Sequence, residues 1–134
     1  MNIRELSGRL KPVIRAIEEE KGSLPFAALL LRDDAPGRFD LALAAEWLPG
    51  NRRDNLEFVA EKLRHSLRED EMLLVSRILL FSIDHPEVQH ILDQFPLNPT
   101  GVVSGSHTFL PHTFGGIGLQ DAVFLRCHRA ARVS

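Results

Sequence analysis

The chain has 134 residues, a mass of 15.1 kDa and a formal net charge of −2, a length typical of one domain. Apolar residues make up 44% and charged residues 25%, which excludes a long disordered chain, a collagen-like repeat and a pure coiled coil. No run approaches the ~20 apolar residues of a membrane span, and the acidic balance argues against a general nucleic-acid binder.

The first segment, residues 1–22, is predicted to be a helix. Its apolar residues recur at spacings of three and four, as on one face of a helix: Ile3, Leu6, Leu10, Val13, Ile14 and Ile17. Pro12 lies inside this stripe, where it removes a hydrogen bond and crowds the carbonyl of Gly8. We therefore expect a kink near Gly8 or two helical pieces, with Gly22 as the C-terminal cap.

Two strands follow in the sequence. Residues 25–32 form a short apolar run, which predicts a strand buried on both faces. Within residues 38–47 every second residue is apolar and the residues between them are alanine or acidic, which predicts a second strand with one buried face. The first set is Phe39, Leu41, Leu43, Ala45 and Trp47, and the second is Asp40, Ala42, Ala44 and Glu46. Turn-forming residues at 33–37 separate the two runs, so together they predict a β-hairpin.

The middle of the chain predicts helix, strand and helix. Residues 52–68 carry a helical stripe, and residues 76–82 are a further apolar run typical of a strand. Asp84 and Pro86 then indicate a helix start, with Asp84 as the N-cap and Pro86 in the first turn. Pro96 prevents this last helix from extending further.

The last third, residues 97–134, is rich in Gly and His and ends in a basic tail. Weak strand signals at 102–108 and a clearer alternation at 119–127 predict a C-terminal hairpin. The whole chain therefore predicts one α+β domain over 1–134, with elements in the order α-β-β-α-β-α-β-β. We expect a mixed, mainly antiparallel sheet of about five strands with about three helices packed on one face of it. The strands at 38–47 and 76–82 are expected to be parallel.

Residues 38–80 resemble small bacterial α+β domains of about this length that have no assigned activity. The resemblance rests on the hydrophobic pattern that starts at Arg38, on Trp47, and on Ser76 and Arg77 before an apolar run. It implies a fold class and carries no site residue.

The last third also holds the strongest metal-ligand chemistry. Three of the six His residues lie here, and imidazole and thiolate are good zinc ligands. Cys127 and His128 are adjacent, so on a strand their side chains would point to opposite faces, and the spacing matches no zinc signature. The metal-ligand candidates are therefore His107, His112 and His128, with solvated loop histidines as the alternative.

Catalytic and cofactor templates do not match the sequence. Ser106, His107 and Asp121 supply the residue types of a nucleophilic triad, but a triad is defined by geometry. The nucleophile elbow and the phosphate-binding loop are both absent. The sequence assigns no catalytic residue and no cofactor, and a small enzyme or metal protein that uses the His-rich third stays an alternative.

A short basic tail carries Arg126, Arg129 and Arg132. Three cations support few phosphate contacts, and no aromatic residues alternate with them to stack on bases. RNA contact through this tail is a weaker alternative to a solvated chain end.

The function that these observations favour is a non-catalytic protein-interaction or binding module that self-associates. A sheet of this kind has edges that can accept a partner strand, and closed homodimers are the commonest oligomers. A single cysteine and the lack of an export signal favour a reducing, bacterial-type cytoplasm.

Overall fold

The computed structural model describes residues 3–32, 34, 37–48, 52–94, 113–114 and 117–127. Its elements, in chain order, are α1 (Ile3–Lys21), β1 (Phe26–Arg32), β2 (Phe39–Ala45), α2 (Arg52–Ser66), α3 (Glu69–Met72), β3 (Val75–Ser82), α4 (Pro86–Gln94), β4 (Thr113–Phe114) and β5 (Ile117–Cys127). Among the described helices, none is long and apolar enough to cross a bilayer.

The strands form an open, mixed sheet in the order β3-β2-β1-β5-β4. β1 pairs antiparallel with β2 and β5, β2 pairs parallel with β3, and the two-residue β4 adds to the start of β5. The predicted α+β class and the predicted parallel pair are confirmed. The described chain has four helices where about three were predicted, because the single turn of α3 forms separately between α2 and β3.

The C-terminal third is described only in part. The strand predicted at 119–127 is confirmed as β5, which lies beside β1 in the sheet. The strand predicted at 102–108 and the basic tail beyond Cys127 lie outside the described residues.

Helix α1 is continuous through Pro12, so the expectation of two helical pieces is wrong. The reason lies in the orientation of the helix. Pro12 and Gly8, whose carbonyl loses its hydrogen bond to Pro12, both lie on the exposed face. Water can therefore satisfy that carbonyl, while the opposite face keeps its apolar stripe against the sheet. Gly22 follows the helix at φ 104°, the left-handed conformation expected of a C-terminal glycine.

Two apolar clusters cover the two faces of the sheet. The first core lies between the sheet and helices α1 and α2, and contains Leu10, Ile14, Leu29, Leu41, Leu43 and Leu63 among others. The second core is smaller and lies under α4: Phe26, Ala28, Leu30, Ala42, Ala44, Val88, Leu92 and Phe124. The central strands of the sheet are therefore enclosed between two layers of helix. The expectation that the helices pack on one face is wrong, because Val88 and Leu92 give α4 an apolar side that covers the second face.

Strand β2 was predicted to have one buried face, and this is wrong. All seven of its residues are buried. Leu41 and Leu43 enter the first core, and Ala42 and Ala44 enter the second. Alternation of large and small apolar residues resembles alternation of buried and exposed ones, because alanine is common in both settings.

Helix α4 begins where it was predicted, but a different residue caps it. Pro86 is the first helical residue, and the preceding His85 accepts the Glu87 N–H on its Nδ1 at 3.2 Å. The Gln89 N–H also donates to the His85 carbonyl at 3.0 Å. The N-cap is therefore His85 and not Asp84, and its ring also packs edge-on against Phe81, with centroids 4.9 Å apart.

Candidate functional site at the sheet edge

Strand β3 forms one edge of the sheet. In the described part of the chain it pairs with β2 alone, so one side of its backbone has no partner strand there. A sheet edge presents a row of N–H and C=O groups that can pair with another chain.

The direction of one hydrogen bond shows which residues of β3 face this edge. The Phe39 N–H donates to the Leu74 carbonyl at 2.7 Å, so alternate residues of β2, including Leu41, turn their backbone groups towards β3. Leu41 lies opposite Ile78. In a parallel ladder the backbone groups of Leu41 bond to the residues on either side of Ile78, which are Arg77 and Leu79. The backbone groups of Ile78 and Leu80 therefore point outwards.

The side chains of β3 are apolar and incompletely covered. The strand reads VSRILLFS, with a single charged residue and no proline, and none of its side chains is fully buried. Ile78 and Leu80 pack against the first core, and Leu79 and Phe81 against the second. Leu73, just before the strand, is 74% exposed. Natural sheet edges usually carry charged residues, proline, a β-bulge or a cover that prevents pairing. The described part of this edge has the single charge of Arg77 and a register shift at its start, but it has no lysine and no proline, and Arg77–Ser82 form a regular apolar segment.

A cleft of about 360 Å³ lies beside the same edge, between α2 and β3. Its floor is apolar, and its rim is polar, with Glu57 and Arg64 from α2 and Ser76 from β3. The residues that line it are Leu56, Glu57, Ala60, Leu63, Arg64, Met72, Val75, Ser76, Arg77 and Ile78. An apolar floor with a few polar groups at the rim is typical of a recognition surface.

A buried carboxylate fixes the one charged side chain of β3. Asp40 is 1% exposed, and its Oδ2 accepts a hydrogen bond from Arg77 Nη2 at 2.8 Å and lies 3.2 Å from Arg32 Nε. The hydrogen bond to Asp40 raises the pKa of the Arg77 guanidinium above its ordinary value. Asp40 Oδ1 and Arg77 Nε are buried without a hydrogen-bond partner among the described residues, so one carboxylate oxygen carries the contact.

This ion pair places a fixed positive charge on the α4 side of the edge. Asp40 alternates with Phe39 and Leu41, which enter the first core, so its side chain faces the opposite side of the sheet. Arg77 is 40% exposed. Its guanidinium is thus held in place at one end while part of it still faces solvent.

A second ion pair holds the turn that leads into β3. Glu71 in α3 is 1% exposed and accepts hydrogen bonds from Arg9 Nε at 3.0 Å and from the Arg68 N–H at 2.8 Å. The hydrogen bond from the Arg68 N–H has the largest effect on the Glu71 carboxyl, and the hydrogen bond from Arg9 has the next largest. Both hold the pKa of this carboxyl below its ordinary value of 4.5. The contact joins α1 to α3 and so positions the start of the edge strand.

The residues that the sequence put forward for metal binding are not tested. His107, His112 and His128 all lie outside the described residues, as do Ser106, Arg129 and Arg132. Cys127 and Asp121 lie in β5, and the structure describes only the backbone of these two residues. Within the described residues, no group of three or more His, Cys, Asp and Glu side chains comes together in a way that suits a metal ion.

The residues that do converge, Asp40 and Arg77, were not predicted as site residues from the sequence. One signal pointed to each of them. Asp40 is the only charged residue in β2, and Arg77 the only one in β3, and an ionised side chain inside an apolar strand calls for a partner.

Comparison with known proteins matches the chain to no family model, no curated protein and no solved structure. The resemblance of residues 38–80 to small bacterial domains therefore stays an expectation, and the candidate site is defined by its own geometry.

Proposed function

We propose that this protein is a non-catalytic interaction module that self-associates through the outer edge of β3. The observation that carries the proposal is the composition of that edge: an eight-residue strand, apolar apart from Arg77 and two serines, whose described residues pair on one side only. A second strand would satisfy its outward backbone groups and cover its half-exposed side chains together.

The cleft beside the edge supports the same proposal. It lies next to the residues that a partner strand would contact, and its apolar floor can accept side chains from that strand. The proposal assigns no catalytic group or cofactor, and it places the protein in a reducing cytoplasm, where the single Cys127 stays a thiol.

Light scattering coupled to size-exclusion chromatography tests the proposal on the full chain. We expect a mass twice the 15.1 kDa of one chain at high concentration. Ser76→Lys should shift the protein to a single-chain mass, because Ser76 is exposed on the edge and an edge lysine opposes strand pairing.

The matched control is Ser23→Lys, which adds the same charge at an exposed position before β1. It should leave the mass doubled. A single-chain mass for the unmodified protein at every concentration would contradict the proposal, as would a doubled mass that survives Ser76→Lys in a protein whose circular dichroism is unchanged.

A further inference from the structure

We infer that two copies pair their β3 strands antiparallel about a two-fold axis at Leu79, and that Arg77 determines this register. The inference rests on the proposed self-association. It adds which segment of the second copy pairs with β3, the relative direction of the two strands, and the residues that lie opposite each other. A two-fold axis brings the same patch of both copies together, and at a sheet edge this requires antiparallel strands.

The partner that fits this edge best is another β3. The edge needs an extended, apolar segment without proline and with few charges, and β3 itself has this composition. Pairing two copies satisfies the outward backbone groups of both β3 strands, which have no partner among the described residues, in a single contact. A strand of strongly charged sequence would instead leave charges against Ile78 or Leu80.

Backbone geometry limits the alignments to a few. Ile78 and Leu80 turn their backbone groups outwards, so in an antiparallel pair each must lie opposite a residue that does the same. The ladder with β2 shifts register at the start of β3, which leaves Arg77–Ser82 as the regular part. Axes at Ile78, Leu79 and Leu80 are the alignments that pair most of this part.

Charge excludes the axis at Ile78. In that alignment Arg77 lies opposite the partner's Leu79, and the two Arg77 residues become diagonal neighbours about 7–8 Å apart on one face. Asp40 holds each guanidinium at its strand, so the two cannot swing apart freely. With the axis at Leu79 they are four residues apart along the strands, about 13 Å, which exceeds the screening length of ~8 Å in physiological salt.

An aromatic contact then favours Leu79 over Leu80. With the axis at Leu79, Arg77 lies directly opposite Phe81 of the other copy, and both side chains lie on the α4 side of the sheet. Asp40 holds Nη2, so it is the remaining, solvent-facing part of the Arg77 side chain that would lie beside this ring, where a cation near an aromatic face is stabilised by a cation–π contact. With the axis at Leu80, Arg77 lies opposite Ile83, beyond the end of the strand, and this contact is lost.

Single cysteines along β3 test the alignment directly, because only the residue on the axis lies opposite its own copy. The substitutions Ile78→Cys, Leu79→Cys and Leu80→Cys are made separately in a Cys127→Ser chain, which removes the one native thiol. Each protein is oxidised with glutathione disulfide, and the cross-linked dimer is measured on a non-reducing gel.

The Leu79→Cys protein should cross-link at least about tenfold faster than the other two. Its Cα atoms would lie about 4.5 Å apart, within the range that a disulfide spans, whereas the other two pairs would lie beyond about 7 Å. Adding Arg77→Leu to the Ile78→Cys chain should raise its cross-linking rate, because the repulsion that excludes that axis is then gone.

The outcomes separate this inference from the proposed function. A doubled mass with fastest cross-linking at residue 78 or 80 refutes the alignment and leaves self-association through β3 intact. A doubled mass without cross-linking at any of the three residues refutes both the alignment and self-association through β3. A single-chain mass refutes the proposed function itself.

Hydrogen exchange on the unmodified protein tests the alignment without any substitution. The amides of Ile78 and Leu80 should be protected in the dimer, and the amide of Ser82 should not. Protection of Ser82 as well would refute the axis at Leu79.

Discussion

Strands β2 and β3 lie side by side in the sheet, run parallel and are both rich in apolar residues, yet their surroundings differ. Every residue of β2 is buried, whereas no residue of β3 is fully buried. β2 lies between two strands and under two layers of helix, while β3 has a described neighbour on one side only. Position in the sheet therefore separates a strand that is enclosed on both sides from one whose outer side has no partner strand among the described residues.

The largest difference is expected between two leucines that lie opposite each other. Leu43 in β2 and Leu80 in β3 are partners in the ladder, both pack in the first core, and Leu43 is fully buried. Leu43→Ala should lower the free energy of unfolding by about 3–5 kcal/mol, because it leaves a closed cavity. Leu80→Ala should cost roughly half as much, since water reaches part of its side chain.

Urea unfolding of the two variants in a Ser76→Lys chain measures this contrast, because a partner strand in the proposed dimer would cover Leu80 and remove the difference. Because the residue type and the cluster are the same, equal losses at the two positions would show that β3 is as well covered as β2. The proposed binding edge would then lose its basis.

Charge gives the second-largest expected effect. Asp40→Asn keeps the shape of the side chain and removes the counter-charge of Arg77 and Arg32, and it should cost roughly 1–2 kcal/mol of unfolding free energy. The loss is limited because Arg77 is 40% exposed and its guanidinium can turn to water. Asp34→Asn serves as control: Asp34 is 72% exposed and 3.6 Å from Arg32, and its loss should be close to zero. A loss at Asp34 equal to that at Asp40 would contradict a special role for the buried pair.

Much of the fold could be predicted from the sequence, because local patterns of apolar residues determine most of its helices and strands. The stripe of α1, the apolar run of β1 and the crossover from β2 to β3 each follow from spacing and chain order. Two of the errors concern single elements, but their causes are tertiary. Pro12 is tolerated because it faces solvent, and the second face of β2 is buried because α4 supplies Val88 and Leu92. Neither fact is visible until the tertiary arrangement is known.

The candidate site was less accessible to sequence reasoning. The apolar runs of β1 and β3 look alike, so nothing local shows that one lies inside the sheet and the other at its edge. That difference arises from the pairing of β1 with β5, about ninety residues later. Long-range pairing is the information that a single sequence without homologues does not display, whereas the composition of the edge was readable throughout.

A smaller effect is expected at the cap of α4, the helix that covers the second core. His85→Ala removes the acceptor for the Glu87 N–H and the ring that packs on Phe81, and should cost about 1 kcal/mol. His85→Asn restores a capping side chain and should recover most of this loss in thermal unfolding. If the Asn variant were as unstable as the Ala variant, the ring contact with Phe81 would account for the effect instead of the cap.

The smallest effect is expected at Glu71, which anchors the start of β3, and it disappears in acid. The pKa of the Glu71 carboxyl is lower in the folded protein than its ordinary value of 4.5, so its contribution to stability is complete above pH 4.5. The contribution is lost as the pH falls through the folded pKa, because the carboxyl then takes up a proton and weakens its bonds to Arg68 and Arg9. Urea unfolding of the unmodified chain and of Glu71→Gln should therefore differ most above pH 4.5 and converge as the pH falls from 4.5 through the lower pKa of the folded protein. Glu69→Gln, at an exposed position of the same helix, is the control and should follow the unmodified chain at every pH. If the free energies of unfolding of the unmodified chain and of Glu71→Gln differed by the same amount down to acid pH, the ionised Glu71 carboxylate would not anchor the edge strand.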